Sequence, residues 1–279
     1  MTLVVAGCGS NGKKSSSKSS AAGDGGAATG GSSASAGTTA ASTSSGASAT
    51  CTAIAEVGEL VQVPPGEFPM GCNAAVDDAC SDDEKPLHTV TLSAFEIDKT
   101  EVTQGAYTAC IVDGACEAPG CTWDCEKTDN PASCVTWAQA GAYCAWAGRR
   151  LPSEAEWEKA ARGSDGNKYP WGNDEPTCAL ANMAGCGDAA IAVGSLSAGA
   201  SPYGALDMAG NVVELVADRY DAAYYAGSPT SDPPGPPGGS RYTGRGGGFK
   251  SDPEFLRTSK RDWYDASDAA ASLGFRCAH

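Results

Sequence analysis

Histidine is scarce in this chain: His88 and His279 are the only two among 279 residues. This scarcity argues against a histidine-based zinc or iron centre, since such centres usually take several imidazole ligands. A Ser-His-Asp triad would likewise depend on one of these two side chains as its base. Histidine-dependent hydrolases and metalloenzymes are therefore not expected.

Basic residues are also few. Nineteen lysines and arginines stand against 34 aspartates and glutamates, which gives a net charge of −15. Nucleic acids and anionic lipid headgroups are bound by surfaces rich in Lys and Arg, so a nucleic-acid partner is not expected. An acidic surface favours solubility, and divalent cations are its natural small partners.

Long hydrophobic runs are missing as well, and no stretch reaches the roughly 20 apolar residues that span a bilayer. Residues 9–50 are almost all Ser, Gly, Ala and Thr. With nothing to bury, this segment is predicted to be a disordered tether rather than a fold. The composition changes at Cys51, and we predict a single domain over residues 51–279.

Cysteine, in contrast, is abundant, with thirteen residues. Such density indicates an oxidising compartment, and the odd number leaves one cysteine to explain. Cys8 ends the stretch LVVAGC, which is typical of a bacterial lipobox. Residues 1–8 are therefore interpreted as a truncated lipoprotein signal, with a start further upstream because no basic region precedes it. We expect a lipid anchor at Cys8 and an extracytoplasmic location in a bacterial cell envelope; the alternative is a thiol in a disordered tail.

Few regular elements are predicted. Strands are expected within residues 60–71, at 88–92, 95–97, 247–249 and 273–277. Helices are expected at 103–111, 136–146 and 153–162, the last two opened by capping boxes, Thr136 with Gln139 and Ser153 with Glu156. The proline- and glycine-rich residues 221–244 are predicted to be an exposed loop.

Seven short motifs occur in an order that resembles the formylglycine-generating enzyme (sulfatase-modifying factor) family. The most specific is GRRLPSEAEWE at residues 148–158; the others are GEFPMG at 66–71, EKPLHTV at 84–90 with TEVT at 100–103, YPWG at 169–172, GALDMAGNV at 204–212, RGGG at 245–248 and LGFR at 273–276. The resemblance covers residues 57–279. It implies an α+β fold, an irregular variant of the C-type-lectin-like fold that is rich in disulfides.

The resemblance also implies where chemistry would occur. Catalytic members oxidise a substrate cysteine with oxygen and copper(I), which is held by two cysteines just after the RGGG block; thiolates are the soft ligands that copper(I) prefers. Here the two positions are Ser251 and Leu256. Copper and catalysis are therefore not expected. The alternative is a formylglycine-generating oxidase or related oxidoreductase with atypical metal ligands.

Structural calcium is the cofactor that the resemblance implies, since hard oxygen donors suit this ion. The first family site corresponds to Asp207, Gly210, Val212 and Glu214. A second begins with Asn182 and Met183, and Asp188 is a candidate to complete it. The alternative is that these side chains only cap turns and satisfy the backbone.

A ligand groove is predicted where the family binds its substrate. The segment 250–267 is rich in Arg, Trp and Tyr, the side chains most often found at binding hot spots. We expect an unknown peptide, protein or glycan to contact Phe255, Arg257, Arg261, Trp263 and Tyr264. The alternative is that these side chains fill the core. Glu154, Glu156 and Glu158 are interpreted as a helix cap and structural ion pairs rather than a catalytic cluster.

For the disulfides, the resemblance implies a bridge between Cys144 and Cys277. The other pairs are predicted from proximity along the chain alone: Cys72–Cys80, Cys110–Cys116, Cys125–Cys134 and Cys178–Cys186, which leaves Cys51 with Cys121.

Overall fold

Three small sheets and three short helices are the regular elements of residues 57–279, the part of the chain that the computed structural model describes. The strands are β1 (Leu60–Val63), β2 (Gly66–Met70), β3 (His88–Leu92), β4 (Phe95–Asp98), β5 (Val213–Arg219), β6 (Arg241–Arg245), β7 (Asp262–Asp265) and β8 (Leu273–Phe275). The helices are α1 (Gln104–Val112), α2 (Trp137–Trp146) and α3 (Glu154–Arg162). The predicted lipobox, the tether and Cys51 lie outside the described residues.

The first four strands form two antiparallel pairs, β1 with β4 and β2 with β3. Their alternating sequences explain the arrangement. In β3, Val90 and Leu92 point inward while Thr89 and Thr91 are more exposed, and Val90 is paired with the buried Phe68 of β2. The predicted strands at the start of the domain are confirmed, but the adjacent β1 and β2 do not pair with each other.

The four-stranded sheet has the order β7-β6-β5-β8, with β5 and β8 parallel and the other neighbours antiparallel. The strand predicted at residues 247–249 is wrong. Gly246 and Gly247 take left-handed backbone angles, with φ of 85° and 67°, and Ser251 closes a turn onto Gly248. Three strands that the sequence did not predict, β5, β6 and β7, build most of this sheet. They frame the candidate site.

All three predicted helices are confirmed to within one or two residues. Both capping boxes are present: the Thr136 hydroxyl accepts from Gln139 N–H, and the Ser153 hydroxyl accepts from Glu156 N–H. Gly148 follows α2 with a φ of 72°, the left-handed angle expected just past a helix end. Within residues 57–279, none of the helices is long and apolar enough to cross a bilayer.

The core is divided among three apolar clusters. One packs β1–β4 against α3 around Trp157, and a second packs α1 and α2 against β5 and β8 around Tyr107 and Phe275. A third, smaller cluster surrounds Leu256. The segment 221–244, predicted as an exposed loop, is partly buried at Pro233 and ends in β6, because it packs back onto the core.

Five disulfides join cysteines within the described residues: Cys72–Cys80, Cys110–Cys116, Cys121–Cys134, Cys144–Cys277 and Cys178–Cys186. Four of the predicted pairs are thereby confirmed. The pairs Cys125–Cys134 and Cys51–Cys121 are wrong. The backbone hydrogen bond from Gly120 to Cys134 brings Cys121 beside Cys134. Nearness in sequence alone cannot show such a contact.

Candidate functional site

The two positions that correspond to the family's catalytic cysteines have structural roles here. The Ser251 hydroxyl accepts a 2.9 Å hydrogen bond from the Gly248 N–H, and its backbone closes the same turn. Leu256 is fully buried in the third apolar cluster, beside Tyr169 and Met183. One position therefore caps a turn and the other fills the core. Neither side chain supplies a soft metal ligand.

The remaining soft and imidazole ligands are occupied or remote. All eleven cysteines in the described residues are disulfide-bonded, so this region holds no thiolate for copper(I). His88 stacks edge-on against Tyr225 and contacts the Ser228 hydroxyl, while His279 is the last residue and lies near Glu96. The described residues thus do not fit a copper(I) centre or a histidine-held iron centre.

A narrow pocket lies beside Ser251, between β6 and the segment leading into β7. Its volume is about 10 Å³, and it is half open to solvent. Its lining comprises Val213, Gly244, Arg245, Gly246, Gly247, Ser251, Phe255, Lys260 and Asp262. The glycines keep the walls close together: a Cβ on Gly244 would lie only 2.5 Å from the Tyr264 ring. Of the five residues predicted to form a ligand groove, Phe255 lines this pocket.

Strand β7 forms one rim of this pocket and an edge of its sheet. Trp263 is 40% exposed, and the guanidinium of Arg241 lies over its ring at 3.3 Å from the centroid. Tyr264 is half-buried and donates a 3.2 Å hydrogen bond to Asp262. Burial raises the pKa of Tyr264, and the neighbouring Asp262 raises it further. Phe255, Trp263 and Tyr264 are therefore partly accessible to solvent.

Arg257 and Arg261 are withdrawn from that predicted groove, and this part of the prediction is wrong. Arg257 is 2% exposed and pairs with Asp77 at 2.8 Å and with Glu84 at 2.7 Å. Arg261, also 2% exposed, makes two hydrogen bonds to Glu154, of 2.8 and 3.0 Å. Buried carboxylates retain both guanidinium groups because a buried charge needs a partner.

The three glutamates of α3 act as predicted, as a cap and as ion-pair partners. Glu156 pairs with Arg150 at 2.6 Å, and Glu154 holds Arg261. Glu158 is fully buried between Arg162 and Arg245. Burial alone would raise the pKa of Glu158, but the two arginines outweigh it and lower the pKa. These carboxylates therefore hold arginine side chains of the scaffold.

The residues of the first predicted calcium site lie near several buried carboxylates. Asp207 accepts a 2.5 Å hydrogen bond from Gly194 N–H through one of its carboxylate oxygens. Glu214 is less available than predicted, because Arg276 binds both its oxygens at 2.6 Å and Trp157 donates to one of them. Arg276 is nevertheless a single positive charge in an acidic environment.

Glu101 adds to this environment and was not predicted from the sequence. It is 1% exposed, accepts from the Asn211 amide at 3.1 Å, and has no hydrogen-bond partner for its second oxygen. Burial raises its pKa well above the usual range, and the charges of Asp207 and Glu214 raise it further. An orphaned buried carboxylate oxygen is a candidate ligand for a divalent cation. Glu101, Asp207 and Glu214 do not, however, bring three ligand atoms within 4.8 Å of one another. In the sequence, the signal for Glu101 was its place in the TEVT motif, which lies between β4 and α1.

The second predicted calcium set is less well assembled. Asn182 is buried, and its amide donates to the Ala189 carbonyl and to Asn211. The Met183 carbonyl accepts from Cys186 N–H, while Asp188 is exposed. Across residues 57–279, three Asp, Glu, Cys or His ligand atoms come within 4.8 Å of one another only at Cys72, Asp77 and Cys80, where the two cysteines form a disulfide.

Comparison with known proteins places this geometry in a family. Residues 46–279 match the sulfatase-modifying factor enzyme 1-like domain. Hercynine oxygenase of Mycolicibacterium smegmatis is 31% identical over 74% of this chain, but the match spans only 58% of that protein. The formylglycine-generating enzyme of Streptomyces coelicolor is 32% identical over 78% of this chain and 88% of its own length.

Among solved structures, PvdO from Pseudomonas aeruginosa superposes with a TM-score of 0.69 at 30% identity, covering 79% of this chain and 94% of PvdO. Sequence motifs, disulfides and tertiary structure therefore agree over nearly the whole described region. The chain belongs to the sulfatase-modifying factor family and has its α+β, C-type-lectin-like fold of the formylglycine-generating-enzyme type.

Proposed function

We propose that this chain is a non-catalytic recognition domain that binds a peptide or glycan at the pocket beside Ser251. One observation carries the proposal: the two catalytic positions of the family are a turn-capping serine and a core leucine. At the same time, every cysteine of the described residues is held in a disulfide. The scaffold is retained, whereas the ligands for oxygen chemistry are replaced.

We further propose that the domain acts outside the cytoplasm, tethered to a bacterial cell envelope through a lipid on Cys8. Disulfides persist in oxidising compartments, and the five bridges between described residues need one. A tether of some forty small residues would allow the domain to search for ligands near a surface.

We propose a ligand surface formed by the pocket beside Ser251 and the adjoining edge strand β7, with Phe255 in the pocket lining and Trp263 and Tyr264 on β7. Irregular loops on a cross-linked base are a suitable arrangement for recognition, because the scaffold holds the loops without rigid secondary structure. Aromatic side chains bury large areas at a small cost in conformational entropy. Trp263 is one of few large apolar side chains that are well exposed in residues 57–279.

Binding is tested by probing peptide and glycan arrays with the purified domain and with Trp263→Ala. We expect array features bound by the wild type to lose at least about tenfold in affinity, as when a hot-spot side chain is truncated. Val112→Ala is the matched control, since Val112 is 50% exposed on α1 and does not line the pocket. Equal losses in both variants, or none in Trp263→Ala, would count against a ligand at this pocket.

The alternative, an oxidase with atypical ligands, is tested by mass spectrometry. A Cys-x-Pro-x-Arg peptide is incubated with the domain, copper(I) and oxygen, and we expect no loss of mass corresponding to formylglycine. A catalytically active relative serves as the positive control. Copper-dependent conversion of the peptide that persists in Ser251→Ala would refute the non-catalytic proposal.

We also propose that calcium binds at Asp207 and the carbonyls of Gly210 and Val212, with Glu101 and Glu214 supplying negative charge. In EDTA, Glu101→Gln is expected to change the melting temperature little near neutral pH, because the raised pKa of Glu101 already favours its uncharged carboxyl form. Calcium at about 100 times its Kd should stabilise the wild type by about 2.7 kcal/mol, and the variant less at the same concentration.

Differential scanning calorimetry with EDTA and with calcium measures both effects. Glu67→Gln is the control, because Glu67 is an exposed carboxylate on β2. Identical calcium responses in wild type and Glu101→Gln would contradict the role of Glu101, and a wild type indifferent to calcium would contradict the site as a whole.

A further inference from the structure

The pocket beside Ser251 contains one carboxylate whose charge is not balanced. Asp262 lines it and is half-buried. One of its oxygens accepts from Trp263 N–H at 2.8 Å, and the other accepts from the Tyr264 hydroxyl at 3.2 Å. Both donors are neutral. Within residues 57–279, no Lys, Arg or His nitrogen lies within 4.0 Å of this carboxylate, in contrast to Asp77 and Glu84, which pair with Arg257.

Lys260, the other charged side chain with an exposed part in the pocket lining, is already neutralised. Its ammonium lies 3.8 Å from Glu84 and 3.4 Å from the Ser81 hydroxyl, and it sits over the Phe255 ring. Together with Arg257 it balances Glu84 and Asp77, two positive charges against two negative ones. Arg245, the third charged side chain of the lining, is buried and hydrogen-bonded to Glu158. Asp262 is therefore the charged side chain of the lining that has no ion-pair partner among residues 57–279.

The size of the pocket limits what can neutralise that charge. A volume of about 10 Å³ corresponds to the space for roughly one water molecule. An ammonium group is of that size, whereas a sugar ring or a planar guanidinium is larger.

We propose that this pocket binds a primary ammonium group of a peptide ligand, with Asp262 as the specificity-determining residue. Asp262 accepts hydrogen bonds from the ammonium, while Trp263 N–H and the Tyr264 hydroxyl hold the carboxylate in place. The inference rests on the proposed recognition function and narrows its ligand class. The chemistry is that of a lysine side chain or a free amino terminus.

The test is a titration followed by backbone-amide NMR shifts, with three probes of defined chemistry. They are Ac-Gly-Gly-Lys-Gly-Gly-NH2, the same peptide with norleucine in place of lysine, and pentaglycine amide with a free amino terminus. We expect saturable shifts at residues 244–247 and 262–264 with the lysine peptide, the free amine or both, and none with the norleucine peptide. Which of the two ammonium probes saturates identifies the source of the ligand group.

Asp262→Asn keeps the shape of the side chain and should weaken ammonium binding by about tenfold or more, because a charge-assisted hydrogen bond is lost. Asp265→Asn, an exposed aspartate on the same strand outside the pocket lining, should bind as the wild type does. Equal shifts with norleucine and lysine peptides would overturn the proposal without recourse to any variant, as would unchanged binding by a folded Asp262→Asn.

The two proposals fail separately. Saturable binding of an ammonium probe at the pocket, together with no binding to any array feature, would contradict the recognition function but support the ammonium site. Array ligands whose binding depends on Trp263 but not on Asp262 would support the recognition function and contradict the ammonium site.

Discussion

Replacing Cys144 and Cys277 together by alanine is expected to lower the free energy of unfolding by about 5 kcal/mol in the chain-entropy description of disulfides. The bridge links residues 133 apart, from α2 to the C-terminal end of the sheet. Cutting it gives the unfolded chain far more freedom. Both half-cystines are fully buried in the second apolar cluster, so alanine leaves no polar group unsatisfied there.

Cys178→Ala with Cys186→Ala is the matched control, since this bridge spans only 8 residues. The same description gives a loss of about 2.5 kcal/mol for so short a loop. Denaturant unfolding under non-reducing conditions measures both variants. Equal losses, or a larger loss for the short bridge, would show that unfolded-chain entropy does not govern the stability of this domain.

Arg257→Met is expected to destabilise the domain by about 3–5 kcal/mol, the usual result of breaking a buried ion pair from one side. The variant would leave Glu84, which is fully buried, and Asp77, which is nearly so, without their guanidinium partner. Arg257 also ties the loop closed by Cys72–Cys80 to the segment that precedes β7. Its loss should therefore alter stability before it alters any ligand contact.

The double variant Arg257→Met, Glu84→Gln separates the structural role of Arg257 from a role in ligand contact. Removing the uncompensated charge should recover part of the lost stability, because neutral groups are cheaper to bury than an unpaired carboxylate. Thermal or urea unfolding of the single and double variants forms the measurement. If Arg257→Met were as stable as the wild type yet lost an array ligand, the sequence-based assignment of Arg257 to the groove would be right after all.

The distinction between Arg257 and Trp263 shows where sequence reasoning reaches its limit. Both lie in one segment rich in Arg and aromatic residues, and both were predicted to contact a ligand. Composition cannot tell which side chain turns inward. That depends on the carboxylates supplied by Asp77 and Glu84, some 170–180 residues away in the chain.

Local features were predictable for a local reason. The two capping boxes, the glycine after α2 and the short-range bridges Cys72–Cys80, Cys110–Cys116 and Cys178–Cys186 depend on residues close together in sequence. The Cys121–Cys134 bridge, β5, β6 and β7 depend on partners brought in by tertiary packing. Proximity along the sequence and hydrophobic periodicity therefore did not predict these features.

By itself, the sequence determined the family and the disulfide-rich α+β fold, because ordered motifs and residue identities are properties of the chain alone. The tertiary structure decided which charged side chains pair with one another. It buries Arg257 and Arg261 against acids, leaves Glu101 with an orphaned oxygen, and leaves Asp262 unbalanced in a water-sized pocket. Charge balance is set by distances between segments far apart in sequence, and only the folded chain defines those distances.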